Sequence, residues 1–212
     1  MTDPDPAILL EGRKLTCIRD DRELFSHLSF ALKPSQVLLI EGRNGSGKTS
    51  LLRMLSGIRM PDEGDITWNN NDIFKLSTDY RENIAYVGHK DGVKLDLTAN
   101  ENLSFAKNLG NPDPKINNEA ALDAVFMTGF EDVLARKLSA GQQRRLALAR
   151  LLVTKSKLWI LDEPFTSLDV DGISVVEKLI KNHLSEEGML VMSSHHSVSL
   201  EEESIVRINL SQ

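Results

Sequence analysis

Apolar and polar residues follow two rhythms along this chain. Residues 8–18 alternate loosely, and Leu24 to Leu32 alternates strictly enough to predict a half-buried strand with His27 on its outer surface. By contrast Val37-Leu38-Leu39-Ile40, Leu158-Trp159-Ile160-Leu161 and Met189-Leu190-Val191-Met192 are apolar without interruption, as parallel strands covered on both faces must be. Helical spacing follows the first run, over Ser50 to Leu55, and separates the other two, from about Val170 to Leu184, which leaves His183 as a solvated helix residue. Pro61-Asp62-Glu63-Gly64 is a turn by its residue types, and Asp65 to Trp68 followed by Asn69-Asn70-Asn71 predicts a strand and a tight return. Asn83 to Val87 predicts a short strand running into the loop Gly88-His89-Lys90-Asp91-Gly92.

A different period governs residues 98–150. Thr98-Ala99-Asn100-Glu101 is a capping-box pattern ahead of Leu103, Phe105, Ala106 and Leu109, so a helix should start there and end by Asn111-Pro112-Asp113-Pro114. A second helix is expected from about Asn118 to Thr128 with Ala121, Leu122, Val125 and Phe126 on one face, and no strand is expected between Thr98 and Lys137. The fold class expected is α/β: a predominantly parallel sheet, an antiparallel β edge ahead of it, and a helical subdomain at about 98–150 inserted into a single domain spanning 1–212.

The chain has 212 residues, 41% hydrophobic and 26% charged, which suffices for a proper core. A net charge of −6 and a sequence pI near 5.4 argue against gripping phosphodiester backbones, so no nucleic-acid partner is expected. The single Cys17 forms no internal disulfide, and Met1 to Pro6 lacks the basic and apolar regions of a signal peptide, so a reducing cytoplasm is expected. No apolar run approaches the ~20 residues that span a bilayer. Work at a membrane would require a partner that supplies the span.

Candidate chemistry begins at Gly42-Arg43-Asn44-Gly45-Ser46-Gly47-Lys48-Thr49, a G-x-x-x-x-G-K-[ST] phosphate loop between a strand and a helix, with Ser50 at its end. A backbone that wraps its N–H groups around an anion cannot carry Cβ atoms at its tightest bends. Lys48 can reach the β- and γ-phosphates, the Thr49 hydroxyl can ligate Mg²⁺, and the helix start supplies positive potential. Asp162-Glu163 ends an apolar strand at the carboxyl edge, where open α/β sheets bind ligands. Asp162 would hold the metal and Glu163 would address water.

Leu138-Ser139-Ala140-Gly141-Gln142 resembles the Leu-Ser-Gly-Gly-Gln signature of ATP-binding-cassette (ABC) ATPases, Ser167-Leu168-Asp169 resembles their D-loop, and His195 resembles their switch histidine, with His196 beside it. With the phosphate loop and Asp162-Glu163 these make five elements in the family's order. The resemblance implies ATP and Mg²⁺ as ligands, Glu163 and His195 in catalysis, and a head-to-tail dimer. In that dimer each ATP lies between the phosphate loop of one copy and the signature motif of the other, with Ser139, Gly141, Gln142 and Asp169 counted among the nucleotide-binding residues. Cys17-Ile18-Arg19-Asp20-Asp21-Arg22, Gly88-His89, Leu97 to Leu103 and Trp159 to Thr166 resemble the haem-exporter ATP-binding subunits of bacterial cytochrome c maturation. That likeness implies a peripheral subunit on the cytoplasmic face of the inner membrane, working with an integral-membrane subunit and other maturation proteins. Three positions depart from the general ABC pattern. Arg19 stands near the place of the adenine-stacking aromatic, where a guanidinium can cover a ring face. His89 stands where a glutamine is usual, and neutral imidazole can accept one hydrogen bond and donate another, as the amide does. Ala140 replaces the first signature glycine. A soluble ABC-type ATPase without transport and a phosphate-loop kinase are the rival readings. The first lacks its long coiled coil or second cassette, and the second has no use for Ser139 to Arg145.

Overall fold

A computed structural model describes residues 10–194, 196 and 200–211, with the backbone alone at Ser77. In chain order the elements are β1 (Leu10–Arg19), β2 (Arg22–Leu32), β3 (Val37–Glu41), α1 (Lys48–Leu55), β4 (Glu63–Trp68), β5 (Asn71–Asp72), α2 (Ser77–Glu82), β6 (Ile84–Val87), α3 (Ala99–Leu109), α4 (Asn118–Asp123), α5 (Ala140–Leu152), β7 (Leu158–Asp162), α6 (Val170–Ser185), β8 (Met189–Ser193) and β9 (Ile205–Asn209). The antiparallel strands form a sheet of their own in the order β2-β1-β4-β5, and the parallel sheet runs β6-β7-β8-β3-β9. Asp20 and Asp21, like Asn69 and Asn70, take positive φ at two-residue hairpin turns, which matches the twist of the strands they join. β2 bends at His27, exposed and at φ 52°, as β1 does at Lys14, φ 48°.

The uninterrupted apolar runs behave as their composition requires. Along β3, β7 and β8 every residue from Val37 to Ile40, Leu158 to Leu161 and Met189 to Met192 is buried, and successive side chains go to opposite faces. Leu38, Ile40, Ile160 and Val191 join Leu51, Leu52 and Leu55 of α1 and the apolar face of the antiparallel sheet in one cluster. Val37, Leu39, Trp159, Leu161 and Met192 join residues of α3, α4, α5 and α6 in the other.

In the helical stretch, Thr98 caps α3 through a complete capping box. Between Thr98 and Lys137 there is no strand, only isolated bridges from Thr98 to Leu134 and from Pro112 to Thr154. The second helix is shorter than its periodicity suggests, because α4 stops at Asp123 and Phe126 turns left-handed at φ 57°. The Phe126 N–H donates to Asp123 O at 3.0 Å and the Met127 N–H to Leu122 O at 2.9 Å, the paired bonds of a Schellman cap. The reversal puts Phe126 outside, 64% exposed, and buries Met127 in its stead.

His183 is also not the solvated residue its helical position suggests. Its ring stacks on Trp159, centroids 3.9 Å apart and 7° from parallel, and its Nε2 lies 3.0 Å from Met189 O. Burial pushes its pKa down to about 4, against the upward pull of the hydrogen bonds to the Met189 and Lys157 carbonyls. The unfolded chain therefore binds a proton below pH ~6.5 that the folded chain refuses until about pH 4, and stability falls as pH drops through that window. By pH 5 the loss from this one residue is on the order of 2 kcal/mol. His183→Phe, which keeps a stacking ring without a titrating group, should lose less stability than the parent between pH 7 and pH 5 in denaturant titrations; equal losses would contradict the assignment.

Candidate active site

Gly42 to Thr49 leaves the carboxyl end of β3 and enters α1. Gly42 is at φ 147°, and a Cβ there would lie 2.6 Å from Ser46 Oγ, so only glycine lets the loop close on itself. Gly47 caps α1 at φ 106° with no side-chain hydrogen bond, and the first turn holds no acidic residue. α3, α5 and α6 are each capped by a side chain, from Thr98, Ser139 and Asp169. The first N–H groups of α1 are thus left for an anion. Ser46 Oγ is buried without a hydrogen-bond partner, an orphan that a phosphate oxygen would satisfy. Arg43, Asn44 and Gly45 are exposed at the rim, while Lys48 is buried with its Nζ 2.7 Å from Gly42 O.

Thr49 and Asp162 are 113 positions apart and meet at 2.9 Å, the hydroxyl donating to Oδ2. Oδ1 accepts from Ser193 Oγ at 2.7 Å, because β7 and β8 place Asp162 and Ser193 in register. These are hard oxygen donors, and among the described residues no group of three or more His, Cys, Asp or Glu could hold a metal by itself. One carboxylate and one hydroxyl suit Mg²⁺, which completes its shell with substrate phosphates and water. The residues fit that ion. Ser193 is the member of this set that sequence reasoning passed over; its one signal is its place at the end of an apolar run parallel to the one that ends in Asp162.

Glu163 follows at φ 49°, a left-handed conformation that costs a non-glycine residue roughly 1–2 kcal/mol and must be held by its surroundings. Its N–H points to Ser193, 3.1 Å from the carbonyl and 3.0 Å from Oγ. A cavity of about 190 Å³ is lined by His89, Arg144, Asp162, Glu163 and Ser167 among others. The structure thus brings His89 to the two carboxylates, although they lie more than 70 positions apart.

The remaining candidates stand elsewhere. Ser139 caps α5, accepting from the Gln142 N–H at 3.2 Å while Gln142 Oε1 accepts from the Ser139 N–H at 2.9 Å. Ser139 and Ala140 are exposed, and a Cβ at Gly141 would lie 2.9 Å from Ser167 O. Asp169 caps α6 through the Gly172 N–H at 2.9 Å and pairs with Arg145 at 2.5 Å, and those bonds hold its carboxyl below its ordinary pKa. Arg19, 63% exposed, sits at the tip of the β1–β2 hairpin with Nε 3.5 Å from Asp20. Arg59 and Asp62 pin that tip by bonds to the Ile18 carbonyl and amide at 2.6 and 2.8 Å. Two residues back, the buried Cys17 thiol meets Ser50 of α1, and burial raises its pKa. His195 lies outside the described residues.

A glycine-lined anion loop, an uncapped helix start and a buried carboxylate paired with the loop's threonine define a phosphate-loop nucleoside triphosphatase fold. Residues 25–166 match the ABC transporter family. The cytochrome c biogenesis ATP-binding export protein CcmA of Nitrosomonas europaea is 47% identical over 93% of each chain. CcmA of Escherichia coli is 43% identical over 96% of this chain and 97% of its own. Among solved structures, a putative ABC transporter ATP-binding protein from Pyrococcus furiosus superposes with a TM-score of 0.80 at 28% identity, covering 95% of this chain and 96% of that one. The chain belongs to the ABC transporter family and, within it, to the cytochrome c biogenesis ATP-binding export proteins.

Lys48→Ala should raise the nucleotide Kd at least tenfold, since a hydrogen bond to a charged group contributes about 1.5–3 kcal/mol. An unchanged Kd would remove the phosphate loop from the site. If the exposed Arg19 guanidinium takes the place of an aromatic at the base, GTP should bind within about tenfold of ATP, roughly 1.4 kcal/mol. Competition binding with a much larger ATP preference would overturn that role for Arg19.

Proposed function

We propose that this chain is the ATP-hydrolysing subunit of a membrane ABC transporter, the haem exporter complex needed for cytochrome c biogenesis. The observation that carries the reading is the match to CcmA proteins over nearly the whole of both chains, supported by a cavity lined by His89, Asp162 and Glu163. Haem as the exported group rests on the likeness of Cys17 to Arg22, Gly88-His89 and Trp159 to Thr166 to haem-exporter subunits.

In this reading residues 42–50 wrap the triphosphate and Lys48 leaves Gly42 O for the β- and γ-phosphates. Thr49 and Asp162 would hold Mg²⁺, which neutralises phosphate charge when bound. Glu163 takes a proton from the attacking water as its oxygen bonds to the γ-phosphorus and the bond from that phosphorus to the β–γ bridging oxygen breaks, releasing ADP and phosphate. His89 accepts a hydrogen bond from that water with one ring nitrogen and can donate one with the other. His195, by its resemblance, takes the role of switch residue. Exposed Ser139, with Gly141 and Gln142 behind it, presents the start of α5 to a second copy of the chain, so that two ATP molecules join a head-to-tail pair. Asp169 lies beside that contact, and Arg19 covers the adenine. Residues 98–150 act as a helical subdomain of one 1–212 domain.

Among the described residues no helix is long and apolar enough to cross a membrane, so the span comes from a partner. A cavity of about 200 Å³ between the parallel sheet and the helical stretch is lined by Arg81, Tyr86, Phe105, Leu109 and Arg150, among others. Phe105 and Leu109 are 39% and 74% exposed there, an apolar surface suited to a cytoplasmic segment of the integral subunit. The chain would then lie on the cytoplasmic face of the bacterial inner membrane.

Affinity purification from native membranes should bring down one small integral-membrane subunit together with cytochrome c maturation proteins; recovery of the chain without any membrane protein would defeat the transport reading. In that complex Glu163→Gln should keep ATP binding and lose at least about 100-fold in turnover. Turnover at the parental rate would exclude Glu163 as the base. His89→Gln should retain most activity and His89→Ala should not, and equal rates for the two would return His89 to a structural role.

A further inference from the structure

Arg144 lies on α5 two residues beyond the signature and is 3% exposed. All five of its N–H donors are used. Nε donates to Pro164 O at 3.3 Å, Nη2 to Asp162 O and Glu163 O at 2.8 Å each, and Nη1 to Gly88 O at 3.1 Å and Asp91 Oδ1 at 2.8 Å. Three consecutive carbonyls on one guanidinium mark a chain that turns sharply, and the turn centres on left-handed Glu163. Ser193 holds the Glu163 N–H from the other side. The same guanidinium grips the second loop on both flanks of His89, at Gly88 and Asp91. Arg150, further along α5, donates to Asp91 O at 3.0 Å and secures that loop again.

We infer that Arg144 is a positioning residue that fixes the spacing between Glu163 and His89, with α5 as the frame. The inference rests on the reading of those two side chains as the groups that address water. Arg144 touches no reacting atom in this scheme; it acts by preventing the Glu163 backbone from relaxing to an extended conformation that would carry the carboxylate elsewhere. A lysine presents its donors from one point and a glutamine has two, so neither reaches both loops. Asp91 is the carboxylate among the five acceptors and balances the buried charge.

The test is steady-state ATP turnover of the complex purified from native membranes, with nucleotide Kd and melting temperature measured on the same samples. Arg144→Lys should fold and lose about 10- to 100-fold in kcat, the penalty of a reacting group displaced by about 1 Å. Its KM and Kd should stay within about threefold, because the phosphate loop is untouched. Asp91→Asn should lose kcat less steeply, and the double variant should be no slower than Arg144→Lys, since both act through one link. A parental kcat in folded Arg144→Lys, a loss confined to KM and Kd, or additive losses would each overturn the inference. If Arg144→Lys does not fold, Asp91→Asn decides: a loss in kcat alone upholds the inference and a parental kcat overturns it. Glu163→Gln in the same assay separates the two readings. If it turns over at the parental rate, the base assignment fails and this inference with it; an inactive Glu163→Gln beside a fully active Arg144→Lys overturns this inference alone.

Discussion

Strands that are apolar on both sides cannot show either face to water, and the molecule is arranged around that constraint. β3, β7 and β8 present buried side chains alternately up and down, so one cluster takes in α1 and the antiparallel sheet and the other takes in α3 to α6. With both faces covered, the open edge is the carboxyl end of the strands, where the chain leaves the sheet. Gly42 follows β3, Asp162 ends β7, Ser193 ends β8 and Gly88 follows β6. Four segments distant in sequence are thereby delivered to one place by the burial of residues that take no part in the chemistry.

The same end of the sheet is where the core stops being apolar. Lys48, Ser50, Arg144, Asp162, Ser193 and Ser194 are all buried there. Burying such groups costs free energy unless each is hydrogen-bonded, and Asp162, Ser193 and Arg144 are bonded to one another's chain segments or to neighbouring loops. A fold seeking stability alone would place these polar residues at the surface. Their concentration beside the left-handed Glu163 identifies the region where structure serves reactivity.

What could be read from the sequence was whatever depends on near neighbours. The phosphate loop is eight consecutive residues whose spacing states its purpose, the apolar runs announce buried strands, and Thr98 to Glu101 cap a helix within one turn. Phe126 was misplaced because a helical period says nothing of a left-handed cap that reverses the side chain, and no glycine at 126 marks the turn. His183 was misplaced because its partners, Trp159 and the Met189 carbonyl, come from two other elements. Arg144 left no trace for a related reason: four of its five acceptors are backbone carbonyls, spread from Gly88 to Pro164, and carbonyls have no residue type.

The position of β3 bears on how the molecule can be made. Among the described residues this strand pairs only with β8 and β9, whose residues are 189–193 and 205–209, so on a ribosome it leaves the exit tunnel long before either neighbour has been synthesised. Until then both of its hydrogen-bonding edges lack the partners of the finished sheet, and the phosphate loop behind it has no Ser193 nearby to complete the site. The nascent chain can close its β1–β2 hairpin early, but the sheet that supports nucleotide binding cannot close around β3 until residues 189–209 have been made. An interruption before residue 189 therefore releases a chain with an unpaired apolar strand, the kind of edge that favours aggregation and invites chaperones.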